Sequence, residues 1–328
     1  MADKKYTYYK EGNAALSKSI NQYLRQRDKI VNVMWNTKLL PILKQTQNDV
    51  ITKLKAYDNL TDWQVYNMKR IQASIGETIE RMEMQITREL QLAQLKMIKF
   101  DNASAIKQFR AAKIADDMAL ILSKEVTDSL LAMSAEFMTY FSKDMTKIIM
   151  SDISLGLVRG ESVASVAKTI TDKFGLTSKQ ISLYNSDKAR WDSYLSQGKV
   201  SQKRYDRRIG YLNNQLSKGS MMSYARAERI AKTEILRAAS FARQERFSEI
   251  AELNDNVVKV WIHAGASPDS RDTHLEAEAI YKANPIKADD LFYEGGETGM
   301  YPKDISFSAK NTVNCACMHL LLNKEYMT

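Results

Sequence analysis

A row of apolar side chains that recur at spacings of three and four residues dominates the first third of the chain. The row consists of Ile71, Ile75, Ile79, Met82, Ile86, Leu90, Ala93, Met97 and Phe100. This spacing places them on one face of a single helix. A helix over residues 62–100, capped by Thr61 or Asp62, would be a rod of roughly 58 Å. Such a rod must pack against other helices or against a partner.

Four further segments have helical patterns and could cover this apolar stripe: 13–35, 41–57, 103–121 and 123–153. We interpret the stripe as ordinary core, and a docking face for another protein is the alternative. Residues 1–155 are therefore expected to form an elongated N-terminal helical bundle or a set of helical hairpins.

A second region, residues 156–256, is also helical but contains a basic, aromatic-rich segment at 179–218. Its best candidates for DNA contact are Lys203, Arg204, Arg207 and Arg208. Basic groups contact phosphates, and interleaved aromatic rings can stack on bases. The alternative is a helical hairpin with solvated charges. A further helix over 223–251 carries Glu234 on its apolar face, where a carboxylate needs a partner.

The last region, residues 257–328, changes character. Val257–Ile262 alternates and is rich in β-branched residues, which is typical of a strand. A short helix is expected at 274–283, an ordered loop at 284–312 and a closing strand at 317–322. The sequence as a whole therefore predicts a mainly α protein whose C-terminal part is a small α+β domain.

Charge and hydropathy restrict the classes of partner. The net charge is +9, yet residues 257–328 carry 7 Lys and Arg against 10 Asp and Glu. The basic remainder would attract nucleic acid. No apolar run reaches the length of about 18 residues that a membrane span needs, and none follows Met1 as in a secretion signal. We therefore expect synthesis in the cytoplasm and no membrane partner during assembly.

All histidines and cysteines of the chain lie near its C-terminus, and they suggest a metal site. They are His263, His274, Cys315, Cys317 and His319. A disulfide within C-x-C would be strained. On an extended backbone both sulfurs point the same way, about 6.6 Å apart at Cα, so both could bind one zinc ion. His274 is the expected third ligand, and Asp269, Asp272, His263 or a water the fourth. His319 could join only across a turn. The alternative is two buried thiols beside a core histidine.

Several motifs follow one another through the second half of the chain. In order they are R-A-E-R-I-A-K-T-E at 226–234, Trp261, D-S-R-D-T-H at 269–274, Phe292, G-G-E at 295–297, M-Y-P-K-D at 300–304 and S-A-K-N-T-V-N-C-A-C at 308–317. This series resembles the Mu F-like domain of phage head-morphogenesis (minor capsid) proteins, over about residues 160–322. The positions that match the family core are Arg229, Glu234, Trp261, Asp269, Arg271, His274, Pro302, Asp304, Asn314, Cys315 and Cys317.

The resemblance implies a structural role. Such proteins are minor head proteins of tailed bacteriophages that associate with the portal, and some bind DNA and leave the head with it. We therefore expect a virion protein in the head interior near the portal. Its expected partner is the portal protein, and double-stranded DNA and capsid or scaffolding protein are further candidates. Glu234 is expected to pair with Arg271 or to accept a hydrogen bond from His274. Asp304 and Asn314 are expected to order the loop backbone.

The alternative function is enzymatic. A metal ion near His274, Glu234 and Asp269 could activate water, which would make the chain a metal-dependent nuclease or peptidase carried in the phage head. No nucleophile elbow, P-loop or H-E-x-x-H motif occurs in the sequence. The non-enzymatic role is therefore favoured.

Overall fold

The computed structural model describes residues 5–9, 13–58, 62–114, 124–174, 178–264 and 271–327. The described chain is mainly helical with a few short antiparallel strands near its C-terminus, which confirms the expected fold class. No described helix has the length and apolar character needed to cross a bilayer.

The elements run in the following order. The helices are α1 (Asn13–Met34), α2 (Leu40–Lys55), α3 (Met68–Ala111), α4 (Lys124–Val158), α5 (Val163–Lys173), α6 (Ser178–Ser196), α7 (Gln202–Leu253), α8 (Asp272–Ala283) and α9 (Ala309–Thr312). The strands are β1 (Val257–Ile262), β2 (Ile286–Lys287), β3 (Phe292–Glu294), β4 (Glu297–Gly299) and β5 (Met318–Asn323). A π-helical turn at Trp35–Leu39 separates α1 from α2, and a 3-10 turn at Val65–Asn67 precedes α3.

The longest helices depart from the predicted boundaries. Helix α3 begins at Met68 rather than at residue 62, and Asp62 accepts a hydrogen bond from Arg70 at 2.8 Å; Thr61 lies outside the described residues. The helix also continues through Asp101, where a break was expected. Aspartate usually favours turns and helix ends over helix interiors. Here the buried carboxylate of Asp101 pairs with Arg243. Helix α7 likewise runs without the break expected between residues 218 and 223.

The chain packs as two compact units, each built from separate stretches. One comprises the described residues within Met1–Asn36, Leu90–Met133 and Arg229–Thr328, and the other those within Thr37–Glu89 and Ser134–Glu228. Residues distant in sequence thus share a unit. The unit boundaries fall at other positions than the consecutive divisions at 155 and 256 expected from the sequence.

The unit formed by 37–89 and 134–228 is all helical in its described part. Its core includes Ile71, Ile75, Ile79, Met82 and Ile86, which form the first part of the apolar stripe and are all buried. Helices α2 and α5 pack together. The side chain of Ser162 caps α5 by accepting a hydrogen bond from the backbone N–H of Ser165.

The other unit holds the sheet. Strand β1 lies between β2 and β5 and is antiparallel to both, with Trp261 opposite His319. The second part of the stripe is also inside, since Leu90, Ala93 and Met97 are buried and Phe100 stacks on Tyr23. The interpretation of the stripe as core is therefore confirmed.

The N-terminal segment belongs to the same core as the C-terminal strand. Tyr6, Tyr8 and Tyr9 are each exposed by 2% or less. The hydroxyl of Tyr9 donates to the carbonyl of Ala112 at 2.9 Å and accepts from the backbone N–H of Asn323 at 3.0 Å. Tyr9 thus ties the described residues 5–9 to the last strand of the chain.

The segment at 284–312 is more ordered than the predicted loop. It contains β2, a β3–β4 hairpin and α9. The hairpin turns at Gly295 and Gly296, whose φ angles are 59° and 87°, in the left-handed region that two-residue hairpin turns require. The two strands have three residues each, so their sequence carries too little periodicity to predict them.

Candidate metal centre

The structure brings His274, Cys315 and Cys317 together. His274 lies in the first turn of α8, and the two cysteines lie between α9 and β5. The ligand atoms of the three side chains lie within 4.8 Å of one another, and all three residues are buried. This cluster can hold a metal ion, as the C-x-C spacing and the histidine predict.

One nitrogen of the His274 ring faces both sulfurs. Its Nδ1 atom lies 3.2 Å from Sγ of Cys317 and 3.7 Å from Sγ of Cys315. Both cysteines are free thiols, as expected. The indole of Trp261 packs edge-on against the imidazole, with ring centroids 5.9 Å apart, and so fixes its orientation.

The backbone before the cysteines is held by residues of the motif series identified in the sequence. Asn314 has a φ of 60°, a left-handed conformation that Asn tolerates better than most residues. Its backbone N–H donates to Oγ1 of Thr233 at 3.3 Å, and Arg271 donates to the carbonyl of Val313 at 2.6 Å. These bonds set the turn from which the C-x-C segment enters β5.

Two buried cations hold the C-x-C backbone itself. Nη1 of Arg27 donates to the carbonyl of Ala316 at 2.8 Å, and the ammonium of Lys303 donates to the carbonyl of Cys317. Both side chains are almost fully buried. Arg27 is paired with Asp28, so Lys303 supplies the positive charge that acts on both sulfurs and stabilises thiolates.

The two thiols differ in acidity. The pKa of Cys315 lies well below its ordinary value because the Cys317 thiol hydrogen-bonds it and because Lys303 and His274 add favourable interactions. Burial raises the pKa of Cys317. The first thiolate of the pair is thus formed readily, and metal ligation requires thiolates.

A carboxylate that we did not predict from the sequence lies behind the histidine. Oε1 of Glu294, at the end of β3, lies 3.6 Å from Nε2 of His274, and both side chains are buried. Strand β3 has only three residues, so its sequence does not predict this placement; in the structure Phe292 and Glu294 lie on the same buried face of the strand. A glutamate on the same face as a core phenylalanine is placed inward.

Glu234 does not have either of its predicted partners. Its carboxylate pairs with Arg237, one turn further along α7, at 2.5 Å. Arg271 bonds the Val313 carbonyl instead, and His274 faces Glu294. The prediction of a buried, paired Glu234 holds, but the predicted partners are wrong because a local Arg at i+3 satisfies the carboxylate first.

The remaining positions that match the family pattern have structural roles. Asp304 accepts hydrogen bonds from the backbone N–H groups of Met300 and Ser306 at 2.8 and 3.0 Å, as expected of a residue that orders a loop. Pro302 is buried in the same turn. Thr233 donates to the carbonyl of Arg229 at 2.7 Å.

The candidates for a fourth ligand are not found in the described cluster. Asp269 lies outside the described residues. His263 is buried elsewhere, and its backbone N–H donates to Glu278 at 3.1 Å. His319 is fully buried between Phe247 and Tyr301, and burial lowers its pKa well below the ordinary value, which keeps it neutral.

The basic candidates for DNA contact lie near the start of α7. Lys203, Arg204 and Arg207 are exposed. Arg208 is engaged within the unit, because it pairs with Asp187 and lies over the rings of Trp191 and Tyr211. Asp187 also pairs with Arg190, so Arg208 is held against its own unit, whereas Lys203, Arg204 and Arg207 remain exposed.

Comparisons with known proteins give one partial similarity. The chain is similar to uncharacterized protein YqbB of Bacillus subtilis (strain 168), with 31% identity over 96 residues, which is 28% of this chain and 29% of that protein. The match therefore covers less than a third of the relative's length. No protein-family model matches the chain, and no solved structure matches it.

Proposed function

We propose that this chain is a minor structural head protein of a tailed bacteriophage, that it associates with the portal, and that a zinc ion stabilises its C-terminal part. The observation that carries the proposal is the convergence of His274, Cys315 and Cys317 within 4.8 Å. These residues belong to the motif series that resembles the Mu F-like domain.

Contacts among other motif residues support the proposal. Thr233 joins the carbonyl of Arg229 to the backbone N–H of Asn314. Arg271 bonds the residue directly before Asn314. Motifs matched by chance have no reason to meet in space, whereas the parts of one family core do.

The donor set and its spacing favour zinc. Two thiolates and one imidazole are ligands that zinc prefers, at about 2.3 Å for sulfur and about 2.0–2.1 Å for nitrogen. In a tetrahedral site these bond lengths separate a nitrogen from a sulfur ligand by about 3.6 Å. The separations of 3.2 and 3.7 Å in the structure lie on either side of that value.

The burial of the ligands favours a structural ion over a catalytic one. A metal-dependent hydrolase keeps one coordination position open to water and substrate. The side chains of His274 and Cys315 are each 3% exposed and that of Cys317 is 1% exposed. A structural role therefore agrees better with this centre than the hydrolase alternative does.

The portal association is tested by co-purification. The full chain is co-expressed with the portal protein of the same phage, and one partner is captured by a tag. We expect both proteins in one complex, and this chain in purified virions by mass spectrometry. An unrelated ring-forming protein serves as control. A chain that neither co-elutes with the portal nor occurs in virions would overturn the proposal.

DNA contact is a second part of the proposal, and it rests on the exposed Lys203, Arg204 and Arg207. We expect retention on double-stranded DNA that weakens as salt rises. Replacing all three by Gln should lower the slope of log affinity against log salt by about 2–3, at about 0.9 for each phosphate contact. Lys18, Lys29 and Lys44, exposed on other helices, give a control of equal charge loss. Equal slopes in the two triple variants would show that this surface does not contact DNA.

A further inference from the structure

Glu294 is a buried carboxylate without a satisfied charge. Its side chain is 1% exposed, and within the described part of the chain neither carboxylate oxygen has a hydrogen-bond partner. An ionised carboxylate is costly to take out of water unless it is paired or hydrogen-bonded. The fold therefore keeps this group at a high cost.

The neighbouring side chain of His274 also has an unpaired polar atom. Nε2 of His274 is buried and also lacks a hydrogen-bond partner among the described residues. The atom lies 3.6 Å from Oε1 of Glu294. A single proton on Nε2, with a small closing movement, would satisfy both groups.

Metal binding at the other side of the ring would fix that proton. Nδ1 faces the sulfurs of Cys315 and Cys317, so a metal bound there takes the Nδ1 lone pair and leaves the proton on Nε2. The ion also withdraws electron density from the ring, which strengthens the Nε2–H donor. Histidine ligands commonly donate their other N–H to a carboxylate in this way.

The local charges allow this arrangement. Two thiolates cancel the charge of one divalent ion, which leaves the negative charge of Glu294. The buried ammonium of Lys303, bonded to the carbonyl of Cys317, supplies a positive charge nearby. The filled cluster would thus be close to neutral, as a buried site requires.

We propose that Glu294 is the positioning residue of the metal centre: it accepts the Nε2–H of His274 and so holds Nδ1 toward the ion and the two sulfurs. The inference rests on the zinc centre proposed above. It adds a residue from the β3–β4 hairpin to a site otherwise built by α8 and the C-x-C segment.

The test measures zinc affinity of the full chain by competition with a chromophoric chelator. Glu294→Leu removes the acceptor and should weaken zinc binding 10–100-fold, the range typical for such partners. Glu294→Gln retains an acceptor oxygen in nearly the same volume and should recover part of the loss. Glu276→Gln, an exposed change on α8, should bind zinc like the wild type. Circular dichroism verifies that each variant is folded.

A second readout addresses the proton directly and needs no variant. In the zinc-loaded wild type, nitrogen NMR of His274 should show a metal-bound Nδ1 and a protonated Nε2. Wild type that binds zinc, with Glu294→Leu and Glu294→Gln matching Glu276→Gln, would overturn the role of Glu294 alone. The reversed tautomer would do the same. Wild type that binds no zinc would overturn the metal centre and this inference together.

Discussion

Nη1 of Arg27 lies 2.8 Å from the carbonyl oxygen of Ala316, the residue between the two cysteines. The arginine comes from α1, 289 positions earlier in the chain. Its guanidinium also bonds Asp28, and the side chain is only 2% exposed. The first helix therefore supports the backbone of the candidate metal centre.

Loss of this contact should destabilise the protein. Arg27→Met removes a charged donor from a buried carbonyl, and such bonds contribute about 1.5–3 kcal/mol. We expect the free energy of unfolding in urea to fall by about that amount. Lys29→Met, an exposed change on the same helix, controls for the loss of charge. Equal stability of the two variants would show that the Ala316 contact contributes nothing.

The pair of Arg243 and Asp101 should matter more. Nε and Nη2 of the arginine contact both carboxylate oxygens at 3.1 and 2.6 Å, and both side chains are almost fully buried. Arg243→Met leaves a buried unpaired carboxylate, which costs about 3–5 kcal/mol. Chemical denaturation checks the value.

The double variant Arg243→Met, Asp101→Leu provides the control for that pair. Because it removes both charges, it should recover a substantial part of the lost stability. A double variant that is less stable than Arg243→Met alone would contradict the assignment of the cost to the unpaired Asp101.

Lys259 should make the free energy of unfolding depend on pH in the alkaline range. Burial lowers its pKa to about 8 from an ordinary 10.5, although Asp289, Asp290 and Asp304 oppose the shift. Between these two values the unfolded chain holds a proton that the folded protein has released. The free energy of unfolding therefore rises with pH across that window. Below the window, the destabilisation caused by the buried ammonium of Lys259 is constant.

The measurement compares Lys259→Met with the wild type from about pH 8 to about pH 10, below the ordinary pKa of tyrosine. The wild type should gain stability relative to the variant as pH rises. The difference in unfolding free energy isolates Lys259 from other titrating groups. A difference that is constant with pH would show that the buried amine keeps an ordinary pKa.

Local sequence patterns predict much of the fold because they report local preferences. The alternation of Val257–Ile262 identifies β1, and the spacing of the apolar stripe identifies α3. Turn-favouring residues predict the ends of helices less reliably. Asp101 and Asn102 suggest a break, but contacts with Arg243 and Arg246 keep that segment helical. Tertiary pairing here outweighs local propensity.

The metal centre is predicted only where its chemistry is visible in the residue types. His274, Cys315 and Cys317 are distinctive, so sequence alone brings them together. Glu294 and Arg27 are ordinary in type, and their roles follow from a short hairpin and from packing across most of the chain. Contacts of that range leave no local pattern, so they appear only in the folded structure.

The most direct test of the account is metal analysis of the purified full chain, with thermal unfolding before and after chelation. We predict one zinc ion per chain, lost in Cys315→Ser and His274→Ala. Free zinc at about 100 times the dissociation constant should add about 2.7 kcal/mol of stability over the chelated protein. A chain purified without metal, whose unfolding is unchanged by zinc or chelator, would contradict the central claim.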